Sequence, residues 1–204
     1  GRMAAPERTR GRRSSGGSSA VKDRIRRKAA ELFAKRGYHG TGIQELSDAV
    51  GLGRGALYHH IGSKETLLFE ISTAHIHELI ELGESLLAED ADATSKLRRL
   101  ASAHMKVITD HRAEWTVFQR DAMALSGALR RQVIECRDRF EEIWQAIIAQ
   151  GVESGEFREL DPVALKGILG MFNYAYMWAS PRGRLSSDGI AEVFCDLVLE
   201  GLRR

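Results

Sequence analysis

Three observations predict an all-α fold. The chain has only three prolines in 204 residues, few enough for long uninterrupted helices. Its apolar residues recur at three- and four-residue spacings along most of its length. No segment shows the sustained apolar–polar alternation of a half-buried strand, and there is no internal repeat. A chain that is 43% hydrophobic and 28% charged can bury a core. Its length suits one ordinary domain, or a small one joined to a medium one.

The first helix is predicted over 21–36. Val21, Ile25, Ala29, Leu32 and Phe33 share one face, and Gly37 follows as a C′ glycine. Ile43, Leu46, Ala49 and Val50 make a second, shorter stripe, interrupted by Gly51-Leu52-Gly53. Arg54 to Ile61 forms a third helix that offers Ala56, Leu57 and Ile61 to the core. Two short helices about a glycine turn, braced by a longer one, read as a helix-turn-helix. The chain must reverse within about 3–4 residues, and a positive φ is least costly at glycine. Leu52 is expected to point inward and pin the turn.

On the third helix Arg54, Gly55, Tyr58 and His59 are left facing outward. Arg54 can bond a guanine edge through two donors, and Gly55 lets a backbone approach. Tyr58 and His59 can donate to phosphates. Ser63 then caps a fourth helix, with Lys64 immediately after it. A cation in the first turn opposes the helix dipole. A phosphate bound at that N-terminus explains the placement; a lysine pointing into solvent is the plainer alternative.

The remaining helices follow in order. One long helix is expected over 63–88, carrying Leu67, Leu68, Ile71, Ile76, Leu79, Ile80, Leu82, Leu86 and Leu87. Segments 92–111, 113–125 and 127–151 repeat the helical pattern. Asp161-Pro162 supplies a cap and an N1 proline for a helix over 162–179. The last helix, 187–202, is apolar on two neighbouring faces. Ile190, Val193, Phe194 and Leu197 form one, and Cys195, Val198, Leu199 and Leu202 the other. A monomer needs one stripe, so the surplus predicts a homodimer paired through 162–179 and 187–202. The alternative is that the surplus packs within the chain.

Charge divides the chain as the helices do. The formal net charge of +2 conceals 14 basic against 6 acidic residues in 1–65 and 16 against 22 in 66–204. A basic front suggests a polyanionic partner. Residues 1–20 are rich in Ser, Gly and Arg and are expected to form a disordered basic tail. That tail is either a plain solvated segment or an arm adding phosphate contacts. Gly1 and Arg2, ahead of Met3, read as an appended dipeptide. The expected organisation is therefore a tail (1–20), a three-helix helix-turn-helix DNA-binding domain (21–65), and a helical effector-binding and dimerisation domain (66–204).

Residues 21–70 resemble the TetR family of transcriptional regulators. The resemblance rests on Phe33, Gly37, Tyr38, Thr41, Ile43 and Leu46. It continues through Gly51, Leu52, Gly55, Leu57, Tyr58, His60, Ser63, Lys64, Glu65 and Leu68. Gly42, Gly53 and Ile61 depart from the pattern, and the two glycines remove side-chain caps. The resemblance implies that Thr41, Tyr58, His59 and Lys64 hold the DNA backbone, while Gln44, Arg54 and Gly55 face base edges. It also implies a two-fold dimer and a cavity for a small-molecule effector. Trp115, Phe118, Met123, Phe140, Trp144, Phe172, Tyr176 and Trp178 are the candidate lining, with plain core as the alternative for each. The segment from Asn173 to Leu202 resembles a subgroup that senses acyl-CoA thioesters in fatty-acid or steroid catabolism. In that reading Arg182 and Arg184 meet CoA phosphates.

Other classes find little support. Cys136 and Cys195 are far apart and form no CxxC pair, which fits a reducing cytoplasm. There is no run of 18 apolar residues and no apolar leader core. HExxH, GxSxG, P-loop and GxGxxG signatures are missing. His75 and His77 point to different helix faces. No metal site, cofactor or enzymatic activity is therefore expected. The combined expectation is a repressor released from a double-stranded operator by an effector. The competing reading is a helical small-molecule-binding or catalytic protein whose basic N-terminus serves solubility alone.

Overall fold

The computed structural model describes residues 15–203, all helix, turn and loop. Helix α1 (Ser15–Arg36) ends where Gly37 turns left-handed at φ 82°, with its amide bonded to the Phe33 carbonyl at 2.7 Å. It begins at Ser15 instead of 21, so the segment expected to be disordered is helical in its last part; residues 1–14 lie outside the described residues. Packing starts at Val21, but adding turns to an existing helix avoids the nucleation cost. Exposed Ser18 to Ala20 therefore continue it.

Helices α2 (Ile43–Val50) and α3 (Arg54–Ile61) meet at Gly51, whose φ of 68° satisfies the predicted reversal. Leu52 packs against the core from the turn. Leu46, Val50, Leu57 and Ile61 are buried with Ile25, Ala29 and Phe33 of α1. Arg24 Nη2 donates to the Val50 carbonyl at 3.2 Å and ties α1 to the end of α2.

The helix expected over 63–88 is two helices, α4 (Lys64–Thr73) and α5 (Ile76–Ala88). Ser63 caps α4 by accepting from the Thr66 amide at 2.9 Å. At its other end Thr73 Oγ1 donates to the Phe69 carbonyl, competing with the regular ladder. The buried stripe also steps by five residues, from Ile71 to Ile76, which shifts its phase.

Helix α6 (Ala93–Asp110) runs through the centre of the body, packed on α5, α8 and α10. It is followed by α7 (Arg112–Arg120), a 3₁₀ turn (Ala122–Ala124) and α8 (Gly127–Glu153). The pattern expected over 113–125 is thus a short α-helix and a tighter turn. Asp161 and Pro162 open α9 (Pro162–Asn173) as predicted, with Asp161 Oδ1 accepting from the Val163 amide. Residues Tyr174–Met177 tighten to 3₁₀, so the α-helix stops short of 179. Helix α10 (Ser187–Leu202) closes the chain against α6.

Helix α7 links the two ends of the molecule. It packs on α1 and α4 on one side and on α6 on the other. Arg120 at its end donates to the Phe33 and Ala34 carbonyls in the last turn of α1. Glu65 of α4 accepts from the Ser126 amide and hydroxyl at 2.8 and 2.7 Å, anchoring the start of α8. Among the described residues no helix is long and apolar enough to cross a membrane.

Candidate nucleic-acid interface and effector cavity

The three helix starts at Gly42, Gly53 and Ser63 set the local geometry of the reader. Gly42 and Gly53 hold extended dihedrals without a side-chain cap, φ −86° and −66°. A β-carbon placed on Gly42, Gly53 or Gly55 would meet nothing within 4 Å. No side chain caps the amides that open α2 and α3, and anions bind at helix N-termini through such amides.

Arg54, Gly55, Tyr58 and His59 are exposed on the outward face of α3. Arg54 has no ion-pair partner among the described residues. Gln44 is exposed on α2, with Nε2 bonded to Asp48 Oδ1 at 2.9 Å. Two residues sit differently from their expected role. Thr41 is 1% exposed, and its hydroxyl donates to the Gly37 carbonyl at 2.9 Å. That hydroxyl closes the turn between α1 and α2, so the side chain is engaged inside the protein. Lys64 is half-buried, with Nζ donating to the Tyr38 carbonyl at 2.7 Å and lying 4.3 Å from the Tyr38 ring centre. Burial pulls its pKa down. It holds the α1–α2 loop to the start of α4 and keeps only its remaining donors for a phosphate.

In the body the ten candidate effector residues do not line one pocket. Trp115, Phe118 and Phe140 line a cavity of about 170 Å³ between α7, α8 and α9, together with Ile76, Arg137 and Asn173. Trp144 and Phe172 are fully buried beside it, rings 5.2 Å apart. Met123 is exposed on the 3₁₀ turn, its Sδ 3.9 Å from Arg137 Nη1, and is not part of the lining. Tyr176 instead faces a cleft between α1 and α7, beside Arg112 and Arg120. Trp178 and Arg184 border a separate hollow at the start of α10, and Arg182 is exposed outside all three. The separation follows from the 3₁₀ turn after Asn173, which changes the direction in which these side chains project.

Polar groups on and behind the cavity wall are ones that spacing alone does not single out. His104 is fully buried, its ring centre 5.1 Å from Trp115, 5.0 Å from Phe140 and 5.8 Å from Phe172. Burial pushes its pKa down to about 3, against an opposing contribution from the Asn173 side chain. Neither ring nitrogen has a well-formed hydrogen bond, and Trp115 Nε1, Trp144 Nε1 and Arg137 Nε are likewise buried without partners. The Arg137 guanidinium stacks 4.7 Å over Phe118 and donates to that residue's carbonyl. Buried polar atoms normally find partners, so these atoms leave unused hydrogen-bonding capacity concentrated around one void. On sequence spacing, Arg137 was one arginine among several on a long solvated helix.

The fold also gathers His75, from the link before α5, with His111 and Glu114, from the start of α7, into one group. Spacing along a single helix cannot reveal it.

Comparison with known proteins agrees with this architecture. Residues 25–71 match the profile of bacterial regulatory proteins of the tetR family. Residues 90–202, more than half of the chain, match the tetracyclin repressor-like C-terminal domain. The HTH-type transcriptional repressor KstR2 of Rhodococcus jostii is 29% identical over 177 residues, covering 85% of this chain and 87% of that protein. The crystal structure of PfmR from Thermus thermophilus, a TetR family transcriptional regulator, superposes with a TM-score of 0.81. Its identity is 40%, over 89% of this chain and all of that one. AibR in complex with isovaleryl coenzyme A and operator DNA is 28% identical with a TM-score of 0.75, over 90% and 98% of the two chains.

Proposed function

Because the chain belongs to the TetR family, and is therefore a DNA-binding transcriptional regulator, we propose that it acts as a cytoplasmic homodimeric repressor released from its operator by an acyl-CoA thioester. Residues 21–65 form the reader and 66–204 the sensing and dimerising body. Arg54 and Gln44 read base edges, and Gly55 lets α3 lie close to the groove floor. Tyr58, His59 and the uncapped amides at Gly42 and Gly53 hold phosphates. Lys64 adds a charge to the same backbone through donors that Tyr38 leaves free.

One observation carries the effector half of this reading: the aromatic cavity with unpartnered His104, Trp115 and Arg137 nitrogens on or beside its wall. Its present volume of about 170 Å³ is below the roughly 300–1,000 Å³ of occupied ligand sites. An acyl chain must therefore push the walls apart, and α7 is the wall that also touches α1 and α4. Displacing α7 moves Arg120 and with it the carbonyls that Arg120 holds on α1. The two copies of α3 then depart from the spacing of about 34–36 Å that successive major grooves demand. Relatives named as fatty-acid and ketosteroid regulators, and the isovaleryl coenzyme A complex of AibR, favour a thioester effector. Arg112, Arg120 and Arg184 are exposed cations of the body, the charge that CoA phosphates pair with.

A gel shift on the promoter region beside its own gene, repeated with a panel of acyl-CoA thioesters, tests both halves. The expected result is retardation at low salt that one class of thioester reverses, while free CoA does not. Absence of retardation removes the operator reading. Retardation that no thioester affects removes the effector class and leaves the DNA function standing.

A further inference from the structure

One side-chain group outside the reader and the aromatic cavity is used by neither. His75 lies in the link between α4 and α5, His111 between α6 and α7, and Glu114 in the first turn of α7. A ligand atom from each, two imidazole nitrogens and a carboxylate oxygen, all lie within 4.8 Å of one another. All three residues are half-buried. The imidazole rings stack with centres 3.7 Å apart and planes 15° from parallel. His75 Nδ1 is shut off from solvent and has no hydrogen-bond partner. His111 and Glu114 are three residues apart and project from the same face of the turn. His75 reaches them only through the packing of the two links.

We infer that His75, His111 and Glu114 form a binding site for a divalent transition-metal cation of the zinc class. Two imidazoles and a carboxylate supply the nitrogen and oxygen donors that Zn²⁺ takes, with a fourth position left for water. Imidazole donors favour such ions over magnesium or calcium. Metal bonds of about 2.0–2.2 Å in a tetrahedron put donor atoms roughly 3.4 Å apart. The rings must therefore turn out of their stack and converge, a side-chain motion that leaves the helices in place. The buried Nδ1 gains the partner it lacks. Arg26 of α1 is the opposing charge near His75, and the Glu114 carboxylate counters it. A bound ion would cross-link the α4–α5 link to the α6–α7 link. It would thereby hold together α4 and α7, both of which rest on α1.

The site stands or falls independently of operator and effector. ZnCl₂ is titrated into the full chain in competition with a chromophoric chelator, and Co²⁺ spectra are recorded in parallel. The expected result is one equivalent bound per chain, with the visible bands of four-coordinate Co²⁺. Zinc should raise the melting temperature by a few degrees. His111→Ala and Glu114→Gln should each weaken binding at least tenfold and abolish the melting shift. His77→Ala, on the exposed face of α5, should leave both unchanged. His75→Asn gives the same loss and serves where His111→Ala fails to fold. No binding below millimolar zinc, equal binding by wild type and His75→Asn, or equal weakening by His77→Ala would each overturn the inference.

Discussion

At the scale of single residues, the most consequential side chains are polar groups that the fold encloses. His104 is neutral when folded, with a pKa near 3, against about 6.5 in an unfolded chain. The unfolded state therefore binds a proton that the folded state refuses between these two values. Stability is complete above about pH 6.5 and is lost as pH falls toward 3, by up to about 1.4 kcal/mol per unit. His104→Leu should flatten the difference profile between pH 6.5 and 5 in denaturant unfolding; profiles that stay parallel would contradict the assignment. Lys64 does two jobs that can be separated. Removing its bond to the Tyr38 carbonyl and its ring contact should cost about 1–2 kcal/mol in the absence of DNA. On DNA, Lys64→Ala should also lower the salt slope of operator binding by about one unit. A stability loss with an unchanged slope would assign the residue to the loop alone. Arg54 is exposed and unpaired with any acid among the described residues, so Arg54→Ala should leave the melting temperature unchanged. It should relax discrimination at one base pair by about 1–3 kcal/mol; equal loss on operator and random DNA would rule out base reading.

At the scale of elements, what was legible in the sequence was what is decided locally. Gly37, Gly51, Ser63 and Asp161 mark helix ends because a positive φ or a side-chain cap involves only neighbouring residues. The break at Ala74 and His75 was obscured because both flanking stripes are apolar. Only the five-residue step from Ile71 to Ile76 betrays it. The membership of the cavity was less legible still, since it depends on which faces of α7, α8 and α9 meet. Trp178 and Arg184 left the set once the chain tightened after Asn173, while Arg137 entered it and His104 packs behind its aromatic wall. A crossing of helices that no periodicity reveals is that of α5 with α8. A β-carbon on Gly83 would lie 2.5 Å from Ile143 Cγ2, so α5 can approach α8 there only as glycine. Gly83→Ala should destabilise the protein by about 1–3 kcal/mol through overpacking. Adding Ile143→Leu removes the β-branch methyl Cγ2 that the new side chain would meet, and the double variant should recover part of the loss. Strict additivity in the thermal or denaturant cycle would place the strain elsewhere.

At the scale of the whole molecule, one surface of the protomer is unlike the rest. Val163 on α9 and Val193 and Leu197 on α10 are 70%, 54% and 64% exposed, whereas every other valine, leucine and isoleucine among the described residues is buried or half-buried except Ile134, at 37%. Gly167 and Gly170 leave the α9 backbone open, with nothing within 4 Å of a placed β-carbon. A groove bordered by Gly167, Ile168, Leu197 and Gly201 runs between the two helices. In the homodimer proposed above, a second copy packed there by two-fold symmetry would cover the apolar face. Leu197→Glu tests that arrangement with little risk to the fold, because the side chain already faces solvent in the protomer. Under two-fold symmetry each substitution puts two carboxylates into the interface. The variant should elute as a 22.7 kDa monomer in light-scattering chromatography and melt near the wild-type protomer temperature. Its affinity for a full operator should fall by about 10²–10⁴, because the second half-site is no longer tethered to the first. Its affinity for an isolated half-site should remain. A variant that stays dimeric would move the interface off α10, and one that dissociates yet keeps full operator affinity would separate dimerisation from DNA reading.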